Sequence, residues 1–220
     1  MNLTRQAYRR LLRFGFRLLY NEMAWCYDTV SWAVSLGHWH AWTRTSVLYL
    51  RGPRVLEIAF GTGDLLLDLR AAGVNVCGLD LSPHMVTVAR RKLRKAGLPA
   101  PITRGSVTHL PFADGSFDSV VSTFPTPFIR QDDVLDELAR VLRLGGCLVI
   151  VDRAQLLKPA WTARLIDGLY VATGQQPEVR SPQAKWMRAR GWNAHDHAAH
   201  LETSVVHLIV AEPPPLAVKV

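Results

Sequence analysis

Val55-Leu56-Glu57-Ile58-Ala59-Phe60-Gly61-Thr62-Gly63-Asp64 is the stretch on which the fold turns. Val55 to Ala59 reads as a short buried strand, and Gly61 and Gly63 stand where a helix would begin. A ligand at such a turn meets backbone N–H groups, and glycine, lacking Cβ, lets it come close. The Gly-x-Gly pair is weak evidence taken alone. A dinucleotide fingerprint would place a third glycine where Leu66 stands, and no Gly-Lys-Ser or Gly-Lys-Thr follows to cradle a phosphate.

Downstream, helix and strand signals alternate. A helix over Gly63 to Ala72 ends at Gly73, and a second strand runs from Val74 to Leu79. Ser82 caps a helix whose first residue is Pro83 and whose last is near Lys95. Ile102-Thr103 is a short strand and Phe117 to Phe124 a longer one. A helix over Asp132 to Leu144 closes on Gly145-Gly146, and Cys147 to Val151 is the next strand. Helices follow over Trp161 to Ala172 and Ser181 to Arg190, then two tightly connected strands over about 192–201 and 203–211. This alternation predicts an α/β fold: a doubly wound, Rossmann-like, seven-stranded sheet, mostly parallel, with an antiparallel C-terminal hairpin. Asp80 ends the second strand, over its carboxyl end and beside the glycine loop, where a carboxylate can accept both hydroxyls of a ribose.

Upstream, residues 21–50 are aromatic and helical in type, with Trp25, Tyr27, Trp32, Trp39 and Trp42. Residues 3–20 carry five arginines on one helical arc, with Leu3, Leu11, Leu12, Phe14, Leu18 and Leu19 mainly opposite. Such a helix either lies on an anionic membrane or packs its apolar face on the domain. Three regions result: a helical segment over 1–50, the α/β domain over 51–212, and an extended tail over 213–220 that begins Pro213-Pro214-Pro215.

Composition narrows the class. Of 220 residues, 49% are hydrophobic and 20% charged, a globular balance. No apolar run is long enough to span a bilayer, and arginines interrupt any secretory core at the start, so a cytoplasmic protein is expected, peripherally membrane-associated if the first helix binds lipid. Three cysteines, Cys26, Cys77 and Cys147, at wide spacing argue against disulfides and a zinc cage. His195, Asp196, His197 and His200 read as surface residues of the edge hairpin, so no metal is expected. The net charge of +8 gathers in residues 1–20 and in Arg90, Arg91, Lys92, Arg94 and Lys95, two local patches rather than a nucleic-acid coat.

The stretch from Val55 to Asp64 resembles the first motif of class I methyltransferases that use S-adenosylmethionine, and Asp80-Leu81-Ser82-Pro83-His84-Met85 resembles their second. Leu110 to Asp118 and Glu137 to Gly146 resemble the segments before their fourth and fifth strands. Tyr27-Asp28, Ser35-Leu36-Gly37-His38-Trp39 and Trp42-Thr43-Arg44 are similar to the N-terminal region of the ubiquinone and menaquinone biosynthesis C-methyltransferases. The chain departs from that group at Ser106, where the family has an acid for the adenine amine, and at Phe124-Pro125-Thr126-Pro127-Phe128. It departs again in a short segment between the fifth and sixth strands.

The resemblance implies these roles. Glu57 anchors the amino-acid end of the cofactor, with Ala59, Gly61 and Gly63 in the loop beside it. Asp80 takes the ribose, Leu81 and Met85 flank the adenine, and Ser106 and Val107 meet its polar edge. Thr123 and Phe124 face the methyl-sulfonium, and Tyr27 closes over the methionine part. A base is needed only if the nucleophile must lose a proton, and the candidates are His38, at the matched position, His40, Tyr27 and Asp28. The acceptor expected is a small apolar or lipid-like molecule, a quinone precursor or a phospholipid. Alternatives are a soluble natural product, RNA, or a cofactor binder without catalysis. Against RNA, no basic-aromatic stacking run or appended RNA-binding domain is present.

Overall fold

A computed structural model describes residues 27–157 and 181–215, with residues 27–30 as backbone only. The helices expected over 3–20 and 161–172, Cys26, and the end of the tail lie outside the described residues.

Helices α1 (Tyr27–Ser35) and α2 (Trp39–Arg44) and a 3-10 turn (Thr45–Tyr49) precede the sheet. Then come β1 (Arg54–Ile58), α3 (Asp64–Ala71), β2 (Asn75–Asp80), α4 (Pro83–Lys95), β3 (Ile102–Arg104) and β4 (Phe117–Thr123). A 3-10 turn (Pro127–Arg130), α5 (Asp132–Val141), β5 (Leu142–Leu156), α6 (Pro182–Arg188), β6 (Asn193–His200) and β7 (Ser204–Glu212) complete them. The seven strands lie in the order β3-β2-β1-β4-β5-β7-β6. Neighbours from β3 to β5 pair in parallel, and β7 runs antiparallel to both β5 and β6, as the sequence predicts. Chain order reverses direction between β1 and β4, the point where doubly wound sheets bind ligands.

Both faces of the sheet are covered, so its central strands are mostly apolar. Leu56, Ile58, Val120, Leu148 and Ile150 point to the face that packs α5 and α6. Val55, Val121, Val149 and Val151, one residue out of phase, point to α2, α3 and α4. Local signals hold at α4, where Ser82 Oγ accepts from Met85 N at 3.3 Å and Pro83 follows the cap.

The structure corrects the end of α5. The helix stops at Val141, not at Leu144, and Leu142 is already extended and paired with Phe117 of β4. Pairing resumes only at Ser119 with Cys147, so Gly145 and Gly146 sit in a bulge of β5 and not at a helix cap. The helical pattern of residues 132–144 cannot show that β4 needs a partner at that level.

Two ionic anchors, one on a buried carboxylate and one partly exposed, hold the framework away from the site. Asp118, 1% exposed, accepts from Arg54 N at 2.8 Å and pairs with Arg54 and Arg143. Burial alone would raise its pKa, but the hydrogen bonds from Arg54 and the charge of Arg143 outweigh this and lower it. Arg140 of α5 donates to the carbonyls of Leu110 and Phe112 and to Asp114 and Glu137, tying the 110–114 loop to the helix. Among the described residues, no helix is long and apolar enough to cross a membrane, and no group of three His, Cys, Asp or Glu side chains could hold a metal.

Candidate cofactor and acceptor site

A cavity of about 430 Å³ opens at the carboxyl ends of β1, β2, β3 and β4. Its wall begins with the stretch that opened the sequence analysis. Ala59 has φ +52° and donates to Leu79 O at 2.7 Å, turning the chain sharply off β1. A non-glycine residue held in this region signals a turn the surroundings impose, and such residues gather at functional sites. The two glycines then do different things. A Cβ on Gly61 would meet nothing within 4 Å, and Gly61 lines the cavity. A Cβ on Gly63 would come within 2.8 Å of Ala89 Cβ, so the missing side chain there lets α4 pack close, and Gly63 is not in the cavity wall.

Asp80 is 8% exposed and held from both sides: Gly61 N donates to Oδ2 at 2.9 Å and Ser82 N to Oδ1 at 2.8 Å. Burial raises its pKa and the two N–H bonds partly offset that. Each oxygen keeps a free lone pair, so the carboxylate can still accept two hydroxyls. Glu57, 1% exposed, lines the same cavity, and among the described residues its buried Oε2 has no hydrogen-bond partner. Burial, then the negative charges of Asp64, Asp80 and Asp68, push its pKa well up, against a backbone bond from Leu66. An unpartnered carboxylate oxygen in this place calls for a donor, best a cationic one. An ammonium at Glu57 and a ribose at Asp80, on adjacent strands, match the two ends of an amino-acid nucleoside such as S-adenosylmethionine.

Beyond Thr123, Phe124 has φ +48° and donates to Val151 O at 2.7 Å, which turns its ring into the cavity wall. Its ring centroid is 4.5 Å from Trp39 and 6.2 Å from Trp42. Trp42 Nε1 donates to Ser204 Oγ at 2.8 Å in the core, which fastens α2 across the sheet and sets Trp39 over the site. The wall continues through Pro125, Thr126, Phe128 and Gln131, an aromatic compartment with a polar rim.

Of the predicted site residues, Glu57, Ala59, Gly61, Asp80, Leu81, Ser106, Val107, Thr123 and Phe124 line this one cavity. Met85 is fully buried in the core and Gly63 backs onto α4, so neither lines it. His38 lies outside the lining, with Nε2 3.4 Å from Thr203 Oγ1 and its ring stacked toward Trp42. His40 also lies outside, with Nε2 2.8 Å from Asp68 Oδ2, an ion-pair distance without hydrogen-bond alignment. The side chains of Tyr27 and Asp28 lie outside the described residues. Sequence reasoning missed Thr43, Thr108, Thr126, Phe128 and Gln131, which the fold brings in from separate segments. For Thr108, the position two residues after Ser106 was an available signal.

Residues 55–146 match the family described as "Methyltransferase domain". The chain is 39% identical over 140 residues to the demethylmenaquinone methyltransferase of Thermus thermophilus, an alignment covering 61% of this chain and 64% of that relative. It therefore spans less than two thirds of that protein's length. Over 192 residues it is 30% identical to the demethylmenaquinone methyltransferase of Paenarthrobacter aurescens, covering 82% of this chain and 74% of that one. Among solved structures, a geranyl diphosphate C-methyltransferase of Streptomyces coelicolor, bound to S-adenosyl-L-homocysteine, superposes with a TM-score of 0.56 at 15% identity, over 79% of this chain and 74% of that one. An S-adenosylmethionine-dependent methyltransferase of Aquifex aeolicus gives 0.56 at 17% identity, over 79% and 92%, and both share the fold. This chain belongs to the class I S-adenosylmethionine-dependent methyltransferases, in the demethylmenaquinone methyltransferase group.

Proposed function

We propose that this protein methylates a ring carbon of a quinol carrying an apolar tail, a reading supported by its likeness to proteins named demethylmenaquinone methyltransferase. The observation that carries the reading is the aromatic compartment of Trp39, Phe124 and Phe128, which shares one cavity with Glu57 and Asp80. When bound, S-adenosylmethionine supplies an electrophilic methyl group on sulfur. The protein's part is alignment and exclusion of water. Glu57 holds the ammonium, Asp80 the ribose hydroxyls, Leu81 and Val107 the faces of the base, and Ser106 its polar edge. Thr123 and Phe124 then lie beside the reacting methyl. Trp39 and Phe124 clamp a flat ring, while Thr126 and Gln131 meet its oxygen substituents.

Among the described residues, the ionisable side chains in the cavity wall are Glu57, Asp64 and Asp80, all on the nucleoside side. The proton lost from the acceptor goes to a group outside that wall, with Asp28 of α1, His38 between α1 and α2, and His40 of α2 the candidates. Unchanged turnover of His38→Ala at saturating acceptor removes His38 from that role. The five arginines and absent acids of residues 1–20 support docking on an anionic bilayer, where a tailed quinol resides. Equal binding of a protein lacking residues 1–20 to anionic liposomes refutes that part.

The deciding experiment incubates the protein with methyl-labelled cofactor and a cell extract, then partitions the label. Label in the organic phase, lost in Asp80→Ala, supports a quinol or another lipid acceptor, and mass analysis separates the two. Label confined to aqueous molecules or RNA overturns the reading.

A further inference from the structure

The strand order orders the cofactor. Glu57 is the last residue but one of β1, Asp80 ends β2, and Ser106 follows β3, on three neighbouring strand ends. Neighbouring strands are about 4.8 Å apart. With the ammonium at β1 and the ribose at β2, the base extends to β3 and meets Ser106. Among the described residues no carboxylate lines the cavity at that strand end. In its place stands a chain of contacts: Ser106 Oγ is 2.7 Å from Thr108 Oγ1, which is 3.0 Å from His109 Nδ1. Thr108 N also donates to Ser106 Oγ at 3.3 Å. Ser106 and Thr108 line the cavity, and His109 is exposed behind them.

We propose that Thr108 and His109 are positioning residues that set the Ser106 hydroxyl as an acceptor for the exocyclic amine of adenine, in place of the missing carboxylate. The inference rests on the cofactor placement above. The hydrogens decide the polarity. With its proton on Nε2, His109 accepts at Nδ1 from the Thr108 hydroxyl. The Ser106 hydroxyl then donates to Thr108 Oγ1, and one Ser106 lone pair faces the cavity, suited to an amine. Glu137 of α5, held by Arg140, is the charged group that faces the imidazole.

The test is calorimetric binding of S-adenosylhomocysteine and of its 6-oxo analogue, S-inosylhomocysteine, to the full chain at pH 8. Taking the ratio of the two affinities cancels the contributions of Glu57 and Asp80, which both ligands share. The expected result is a preference for the amine of about tenfold. Thr108→Val, nearly isosteric, and His109→Phe should each lower that preference severalfold without shifting the melting curve. If Ser106→Ala lowers the ratio while Thr108→Val and His109→Phe behave as wild type, the relay is overturned and the placement of the base stands. If Ser106→Ala changes neither affinity nor ratio, the base does not lie there, and both the placement and the relay fall.

Discussion

Gly61 N–H donates to Asp80 Oδ2 at 2.9 Å, which joins the glycine loop after β1 to the acid that ends β2. The pair makes one preformed edge: the loop cannot shift without unpairing a buried carboxylate.

Asp80→Ala therefore has two expected effects. The N–H groups of Gly61, half-buried, and Ser82, buried, lose their acceptor, costing about 1–3 kcal/mol of stability in a denaturant titration. Cofactor affinity falls about 100-fold by calorimetry, the scale of two hydrogen bonds to a charged group. Affinity within threefold of wild type would show that the ribose lies elsewhere.

Glu57 links stability to pH. Its folded pKa lies above its unfolded value, so between those two values the folded protein keeps a proton that the unfolded chain has lost. The ligand-free protein accordingly loses stability as pH rises above about 4.3. Glu57→Gln, which cannot ionise, should gain stability relative to wild type over that rise, and bind cofactor more weakly. Parallel melting-temperature curves for the two proteins would refute this.

Trp42 and Ser204 form a cross-sheet tie between groups 5% and 0% exposed. Trp42→Phe and Ser204→Ala should each cost about 1–3 kcal/mol, and the double variant less than their sum. Additive losses in urea titrations would mean that the bond contributes nothing of its own.

Trp39→Ala should raise KM for the acceptor about tenfold while leaving cofactor affinity within twofold, because its ring packs on Phe124 on the acceptor side. A matching loss of cofactor affinity would relocate Trp39 to the nucleoside half.

Arg140→Ala frees the 110–114 loop and leaves Glu137 without its cation. A loss of about 1–3 kcal/mol is expected, held down by the partial exposure of the pair. The hydrogen bond from Arg140 keeps the pKa of Glu137 below its ordinary value, so this contribution is present above about pH 4.3 and is lost as pH falls through the folded value. The gap between variant and wild type should close in acid.

The sequence alone was enough wherever the physics is local. The Ser82 cap acts on Met85, three residues away, and Asp80 could be placed from strand length and the following cap. Alternating elements implied the parallel sheet, because a parallel crossover needs a helix. Tertiary structure decided whatever depends on distant partners. His38 meets Thr203 and Trp39 meets Phe124 only because α2 folds back over the sheet, fastened by Trp42 to Ser204, 162 positions away. Met85 turns into the core and Gly63 serves the packing of Ala89, since a helix beside a loop can give a residue to either surface. Leu142 becomes strand because β4 offers it hydrogen bonds that no helical pattern in its own segment can register.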